Sequence, residues 1–320
     1  MEILHDKNYE EIVELVARCG EKSFRAKQIF SNISKGIKIS EMTDISKAFR
    51  EKLLNRFIDE PCEIIEALVS KDGTEKYLYK LHDGNVIEGV LMKYKYGYTL
   101  CVSTQVGCRM GCAFCASTID GLQRNLSRGE ILCEVLAANR RKSVDGERAI
   151  TNIVLMGSGE PLDNYDEVVG FLRLVSSPDG INISPRNISL STCGLVPKMY
   201  DLANEGLPVN LTVSLHSPFD EKRKKIMPVA KSYSIAEILS ACDNYFEKTG
   251  RRYYFEYSLI AGENDTDECA EELFKLLKGK PCHVNLIRLN SVKERDLKGS
   301  SRDSASAFLK KLESFGLSAT

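Results

Sequence analysis

Three cysteines carry the clearest chemical potential in this 320-residue chain. Cys108, Cys112 and Cys115 stand in a C-x3-C-x2-C spacing within QVGCRMGCAFCAS, beside Gly107 and Gly111. Three thiolates on so short a loop can grip one metal centre. A structural zinc ion wants four protein ligands, and no Cys or His in the next sixteen residues supplies the fourth. A [4Fe–4S] cluster held by three cysteines keeps one iron open to a substrate or cofactor. Ordinary buried thiols are the competing reading; the place of the triplet after a strand, with Phe114 before the last ligand, favours the metal. Two further segments offer polar groups and close backbone approach. MGSGEP at 156–161 has Gly157, Gly159 and the carboxylate of Glu160, an acceptor for an ammonium group. STCG at 191–194 and SLH at 214–216 bring Ser191, Cys193, Ser214, Leu215 and His216.

The elements that must hold these residues can be read from periodicity. Beyond Tyr98, apolar strand candidates (Leu100–Ser103, Asn152–Met156, Asn187–Ser191, Val209–Leu215, Tyr254–Ile260 and His283–Arg288) alternate with helix candidates near 127–141, 164–176, 196–205, 234–249, 265–278 and 303–315. That order predicts an α/β fold of parallel strands with crossover helices, a doubly wound sheet or an incomplete barrel, with ligands at the carboxyl ends of the strands. Each motif above ends or follows one of those strands. Upstream, 8–57 reads as helical: Ile12, Leu15 and Val16 share a face, Phe24, Ile29 and Ile33 follow, and a third helix starts near Asp44 and carries Ala48, Leu53, Leu54 and Phe57. The runs Ile64–Val69, Lys76–Leu81 and Val86–Met92, separated by KDGT and HDGN, predict an antiparallel sheet.

Composition sets the outer bounds. Forty-four Lys+Arg against 45 Asp+Glu give a net charge of −1, which excludes an indiscriminately basic nucleic-acid binder but leaves room for local patches. No apolar run approaches a membrane span, and MEILHDKNYEEIVEL lacks the regions of a signal peptide, so a cytoplasmic protein is expected. Eleven cysteines in a reducing compartment are not there chiefly for disulfides. Cys19, Cys62, Cys133, Cys242, Cys269 and Cys282 read as packing residues.

The triplet resembles the signature of the radical S-adenosylmethionine enzymes, in which the open iron chelates the cofactor and electron transfer yields a 5′-deoxyadenosyl radical. TLCVSTQVGC, CASTIDGLQRNL, MGSGEPLDN, VSLHSP, IMPVAK, AGENDT and HVNLIRLN follow one another as in the RlmN family of RNA adenosine C2 methyltransferases, and FRAKQIFSNI and EMTDISKAFREKL resemble that family's accessory domain. The resemblance implies a partial (βα)6 barrel at 99–320, a helical RNA-docking domain at 1–58 and an antiparallel β extension at 59–98. It implies methylation of an adenosine in the peptidyl-transferase region of 23S rRNA and of the adenosine 3′ of the anticodon in tRNA. It also implies two S-adenosylmethionine molecules per turnover, a monomeric enzyme and an electron donor such as flavodoxin. By the same resemblance Cys108, Cys112 and Cys115 would hold the [4Fe–4S] cluster, and Gly159, Glu160, Ser191, Ser214, Leu215, His216 and Asn290 would hold S-adenosylmethionine. Glu88, twenty residues before Cys108, matches a proton acceptor, and Cys101, seven before it, a resolving cysteine in a methyl-cysteine mechanism. By residue type alone, Glu88 reads equally as a solvated surface carboxylate.

The likeness departs at the C-terminus. The family's methyl-carrying cysteine lies beyond the point matching SFGLSAT, where this chain stops, so the chain as written is expected to bind cluster and cofactor without completing transfer. RNA contact is expected from Lys93 and Lys95 interleaved with Tyr94, Tyr96 and Tyr98, and from Lys222, Arg223, Lys224 and Lys225. The basic residues of 1–58, including Lys22, Arg25, Lys38, Arg50 and Arg56, are a weaker docking surface. Three other readings remain: a Cfr-type enzyme methylating C8, a radical-enzyme activase, and a non-enzymatic iron–sulfur or zinc RNA-binding module.

Overall fold

The computed structural model describes residues 1–144, 147–290 and 292–320. The chain falls into two compact units whose segments interleave: residues 1–106, 124–158 and 164–188 form the first, and 107–123, 159–163 and 189–320 the second.

The first unit opens with strand β1 (Glu2–Ile3) and helix α1 (Tyr9–Arg18). Asn8 caps α1: its side chain accepts the Glu11 amide, and the Glu11 carboxylate accepts the Asn8 amide. α2 (Phe24–Ser34) and α3 (Lys47–Leu54) follow, α3 capped by Ser46. Ile12, Leu15, Val16, Ile29, Phe30, Ile33, Phe49, Leu53 and Phe57 pack one apolar core, as amphipathic spacing requires. The third helix is shorter than expected: Phe57 belongs to β2 (Phe57–Ile58), which pairs in parallel with β1. Two-residue strands have no periodicity to read.

β3 (Cys62–Val69), β4 (Glu75–Leu81), β5 (Val86–Tyr94) and β6 (Gly97–Cys101) form the expected antiparallel ribbon. At its first two turns Asp72 and Asp83 accept the amides of Thr74 and Asn85, and Gly73 and Gly84 take positive φ. After the short strands β7 (Gln105–Gly107) and β8 (Leu122–Asn125) comes α4 (Arg128–Lys142), begun by a Ser127/Glu130 capping box. β9 (Ile150–Leu155) pairs in parallel with β6, and α5 (Tyr165–Ser176) follows.

The second unit is built from β10 (Ile188–Thr192), α6 (Val196–Asn204), β11 (Asn210–Ser214), α7 (Asp220–Ile226), α8 (Ile235–Thr249), β12 (Tyr253–Leu259), α9 (Asp267–Leu277), β13 (Cys282–Arg288) and α10 (Arg302–Ser314). β10–β11, β11–β12 and β12–β13 pair in parallel, so the expected strand–helix alternation is present. α7 was not expected; its sequence DEKRKKI is almost wholly charged, with acids in the first turn and bases in the last, as the helix dipole favours. No helix among the described residues is long and apolar enough to cross a membrane.

Candidate active site

The cysteine loop is shaped by its glycines. Gly107 has φ +74°, and a Cβ there would stand 2.0 Å from the Gly121 carbonyl oxygen, which also accepts the Cys108 amide at 3.0 Å. Only glycine permits that approach. Within the loop the Cys115 amide donates to the Cys112 carbonyl, and Thr118 Oγ1 donates to the carbonyls of Cys112 and Cys115, at 3.2 and 3.0 Å. Arg295 Nη2 in turn donates to Thr118 Oγ1 at 3.0 Å. Arg109 forks onto the Asp163 carboxylate, Nε to Oδ2 at 2.9 Å, tying the loop to the segment after Glu160.

Cys108 and Cys112 are buried, and Cys115 is partly so. Burial, reinforced by the neighbouring acidic groups, pushes the Cys108 thiol up to about 11 and the Cys112 thiol up to about 12. Such thiols stay protonated on their own, and a bound cationic centre would ionise them. Among the described residues no three His, Cys, Asp or Glu side chains close on a single ion. The donor set of three thiols on one glycine-shaped loop suits a multi-iron cluster, whose ligands sit on different metal atoms.

Beside the loop, the 159–163 segment and the ends of β10 and β11 in the second unit carry most of the other expected residues. Glu160 is buried; one carboxylate oxygen accepts the Cys193 amide at 2.7 Å and the other the Leu162 amide at 3.0 Å. Burial raises its pKa, while these bonds hold it down. Gly159 precedes it at φ +107°. His216 is buried with φ +57°, an uncommon conformation for a residue other than glycine. Its Nδ1 accepts the Ser258 amide at 2.9 Å, its carbonyl accepts Asn264 Nδ2 at 2.7 Å, and its ring meets Phe114 edge-on at 4.8 Å. Burial and then the charge of Arg223 bring His216 down to about 3, so the ring is neutral, and with Nδ1 accepting, its proton sits on Nε2. Leu215 is fully buried and Asn290 exposed.

Three residues of this site escaped sequence reasoning. Glu256 on β12 accepts Ser191 Oγ at 3.2 Å and Ser214 Oγ at 3.5 Å, linking the two serines; an acid in the middle of YYFEYSL is the signal that was available. Asn264, from AGENDT, also donates to the Ser258 carbonyl and accepts the Ile260 amide. Arg223 is a correction: expected on an RNA-facing surface, it is fully buried. Its spacing with Phe219, Ile226 and Met227 places it on the inward face of α7. Of its neighbours, Lys222 donates to the Glu263 carbonyl, Lys224 pairs with Glu221, and Lys225 is exposed.

Glu88 and Cys101 belong to the first unit. Cys101 on β6 lies opposite Val90 on β5, so Glu88, two residues from Val90, shares its sheet face as a diagonal neighbour. Glu88 pairs with Lys76 at 2.5 Å, and its carbonyl accepts Ser103 Oγ at 2.8 Å. Glu134, fully buried beneath this corner, accepts the Ser103 amide at 3.1 Å. At the tip of the β5–β6 hairpin the rings of Tyr94 and Tyr96 stack at 5.1 Å and 6°, both exposed, flanked by exposed Lys93 and Lys95.

A glycine-shaped three-thiol loop beside buried polar strand ends of an α/β fold is the arrangement of a radical S-adenosylmethionine enzyme, and residues 102–277 match the family model of the Radical SAM superfamily. A solved radical SAM methyltransferase from Sphaerobacter thermophilus superimposes with a TM-score of 0.96 at 41% identity, over 100% of this chain and 94% of that one. Residues 3–58 match the ribosomal RNA large subunit methyltransferase N-terminal domain. The chain is 54% identical over 323 residues to a probable dual-specificity RNA methyltransferase RlmN of Clostridium perfringens, covering 100% of this chain and 92% of the relative. A protein of the same description from Lachnoclostridium phytofermentans is 54% identical over 307 residues, 95% of this chain and 85% of its own length. The chain belongs to the RlmN family.

Proposed function

We propose that this protein methylates C2 of an adenosine in RNA, in the peptidyl-transferase region of 23S rRNA and 3′ of the anticodon in tRNA. One observation carries the reading: 54% identity over 95–100% of this chain to proteins described as probable dual-specificity RNA methyltransferases. When bound, the [4Fe–4S] cluster and S-adenosylmethionine supply one-electron cleavage of the sulfonium, which a carbon as inert to polar methylation as adenine C2 requires. Cys108, Cys112 and Cys115 are the ligands of the cluster. Gly159, Glu160, Ser191, Ser214, Leu215, His216 and Asn290 hold S-adenosylmethionine: Glu160 offers remaining lone pairs to an ammonium group, the neutral His216 offers an Nε2–H donor, and Gly159 lets the ligand approach the backbone. Two molecules are consumed per turnover, one as methyl source and one as radical source.

The methyl group passes through a carrier cysteine, which the resemblance places past the match to SFGLSAT. Cys101, as a thiolate, then resolves the protein–RNA adduct: its sulfur attacks the adduct sulfur, the disulfide forms as the carbon–sulfur bond breaks, and the bond's electron pair goes to the methylene carbon, which takes a proton to become the methyl group. Glu88 accepts the proton lost from C2. Their shared sheet face supports that division of labour. The stacked Tyr94–Tyr96 pair with Lys93 and Lys95 suits an unpaired RNA segment, since C2 is reached only when the adenosine is splayed from its neighbours. A small one-electron donor such as flavodoxin reduces the cluster, and the enzyme acts as a monomer.

The test compares 23S rRNA and tRNA from cells with and without the gene. Mass mapping is expected to find 2-methyladenosine that disappears with the gene. A methyl group on C8, or no change at either RNA, overturns the reading.

A further inference from the structure

Arg223 is fully buried, and its guanidinium is incompletely satisfied. Nε donates to the Leu215 carbonyl at 3.1 Å, and Nη2 donates to the carbonyls of Cys193 and Ser214 at 2.7 and 3.0 Å. Nη1 is buried without a hydrogen-bond partner, and among the described residues no carboxylate forms an ion pair with Arg223. A guanidinium keeps its proton even when desolvated, so the fold buries a permanent charge that touches only carbonyl oxygens by hydrogen bond, with the Asp220 carboxylate acting on it only at longer range. A buried charge of that kind calls for a counter-ion.

The neighbouring groups indicate which one. The helix bearing Arg223 is laced to the cysteine loop by the Ala113 amide, which donates to the Ile226 carbonyl at 2.8 Å. Cys112, Cys193, Ile226 and Met227 pack in one apolar cluster. The thiols of Cys112 and Cys193 both lie within electrostatic reach of the guanidinium. A bound cluster would turn the loop's three thiols into thiolates, and its one-electron reduction would add a further negative charge beside the same apolar side chains. We infer that the Arg223 guanidinium is the buried counter-charge of the thiolate-bound cluster and raises its reduction potential. The role rests on the cofactor assignment and concerns the ease of cluster reduction, independent of which RNA is methylated.

The experiment is a redox titration of anaerobically reconstituted wild type, R223K and R223Q, without S-adenosylmethionine, alongside iron and sulfide content. R223Q is expected to be about tenfold harder to reduce, about 59 mV for one electron. R223K, which keeps the charge, stays within about twofold of wild type. A loaded R223Q at the wild-type potential, or equal shifts in R223Q and R223K, overturns the inference. Circular dichroism and unfolding of the apoproteins cover the case in which R223Q holds no cluster. A folded but empty R223Q beside a loaded R223K supports a charge requirement, whereas an unfolded R223Q apoprotein, or an empty R223K, makes Arg223 a structural tie and overturns it. A wild type that holds no iron would fail the cofactor assignment instead.

Discussion

Cys112 packs against Cys193, Ile226 and Met227, a setting in which serine is nearly isosteric but leaves a hydroxyl to satisfy. Cys112→Ser is therefore expected to cost about 1–3 kcal/mol of stability and to abolish cluster retention, whereas Cys101→Ser leaves iron content intact and removes RNA methylation. Iron and sulfide assays with urea unfolding separate the two effects; a Cys112→Ser protein that keeps its full iron complement would contradict the ligand assignment. His216 makes a second prediction at this scale. Its folded pKa, about 3, lies below the ordinary 6.5, so the fold favours the neutral ring. The resulting stability is present above about pH 6.5 and lost as pH falls toward 3, at up to about 1.4 kcal/mol per pH unit. His5, brought down to about 4 by burial, acts in the same direction, while Glu160 and Glu256, whose carboxyls burial raises, oppose it. His216→Asn, whose side chain tolerates the same positive φ, is expected to flatten the acid limb of a plot of urea stability against pH. An unchanged limb would mean that His216 is already protonated in the fold.

The β5–β6 hairpin is the element most open to a direct test. Aromatic faces as exposed as those of Tyr94 and Tyr96 lose little in the free protein when removed, yet base stacking contributes about 1–3 kcal/mol per base. Tyr96→Ala is expected to weaken binding of a single-stranded RNA roughly five- to hundredfold while leaving the thermal midpoint unmoved; fluorescence titration against single- and double-stranded oligomers reads both affinity and preference. Equal loss on both oligomers would argue against stacking. The same element shows what is legible in a sequence. The antiparallel ribbon it closes announces itself by the Asp-Gly turns after β3 and β4 and by short extended runs, and the parallel strands beyond it do so as short apolar runs between polar helices. α7 does not, because seven nearly all charged residues carry no apolar stripe, and that is why Arg223 reads as part of a solvated face although it points inward. Cys108, Cys112, Cys115, Glu160 and His216 stand out as short motifs at strand ends. Glu256 and Asn264 do not, since their value lies in hydrogen bonds to residues far along the chain, set by strand register.

For the whole molecule, a net charge of −1 means that no long-range field draws in a polyanion, and RNA must be held where local cations lie free. Many of the N-terminal bases are already engaged: Arg56 with Glu2, Lys38 with Glu60, Arg25 and Arg50 with backbone carbonyls of their own helical segment. Among the described residues Lys93 and Lys95 form no ion pair, which makes the hairpin a better phosphate contact than the helices. The interleaving of the two units leaves no mark in composition, so the distribution of these charges becomes visible only once the chain is folded. With no net positive field and two exposed lysines at the hairpin, binding should release few counterions. The slope of log affinity against log salt is expected to be shallow, about −2 to −4, since each neutralised phosphate of a single strand contributes about −0.7. Replacing Lys93 and Lys95 together with alanine should make it shallower by about 1.4, whereas Arg56→Ala, whose charge is already paired with Glu2, should not change it detectably. Filter binding across a salt series gives these slopes; a wild-type slope steeper than about −6, or one unchanged by the double substitution, would move the RNA path away from the hairpin.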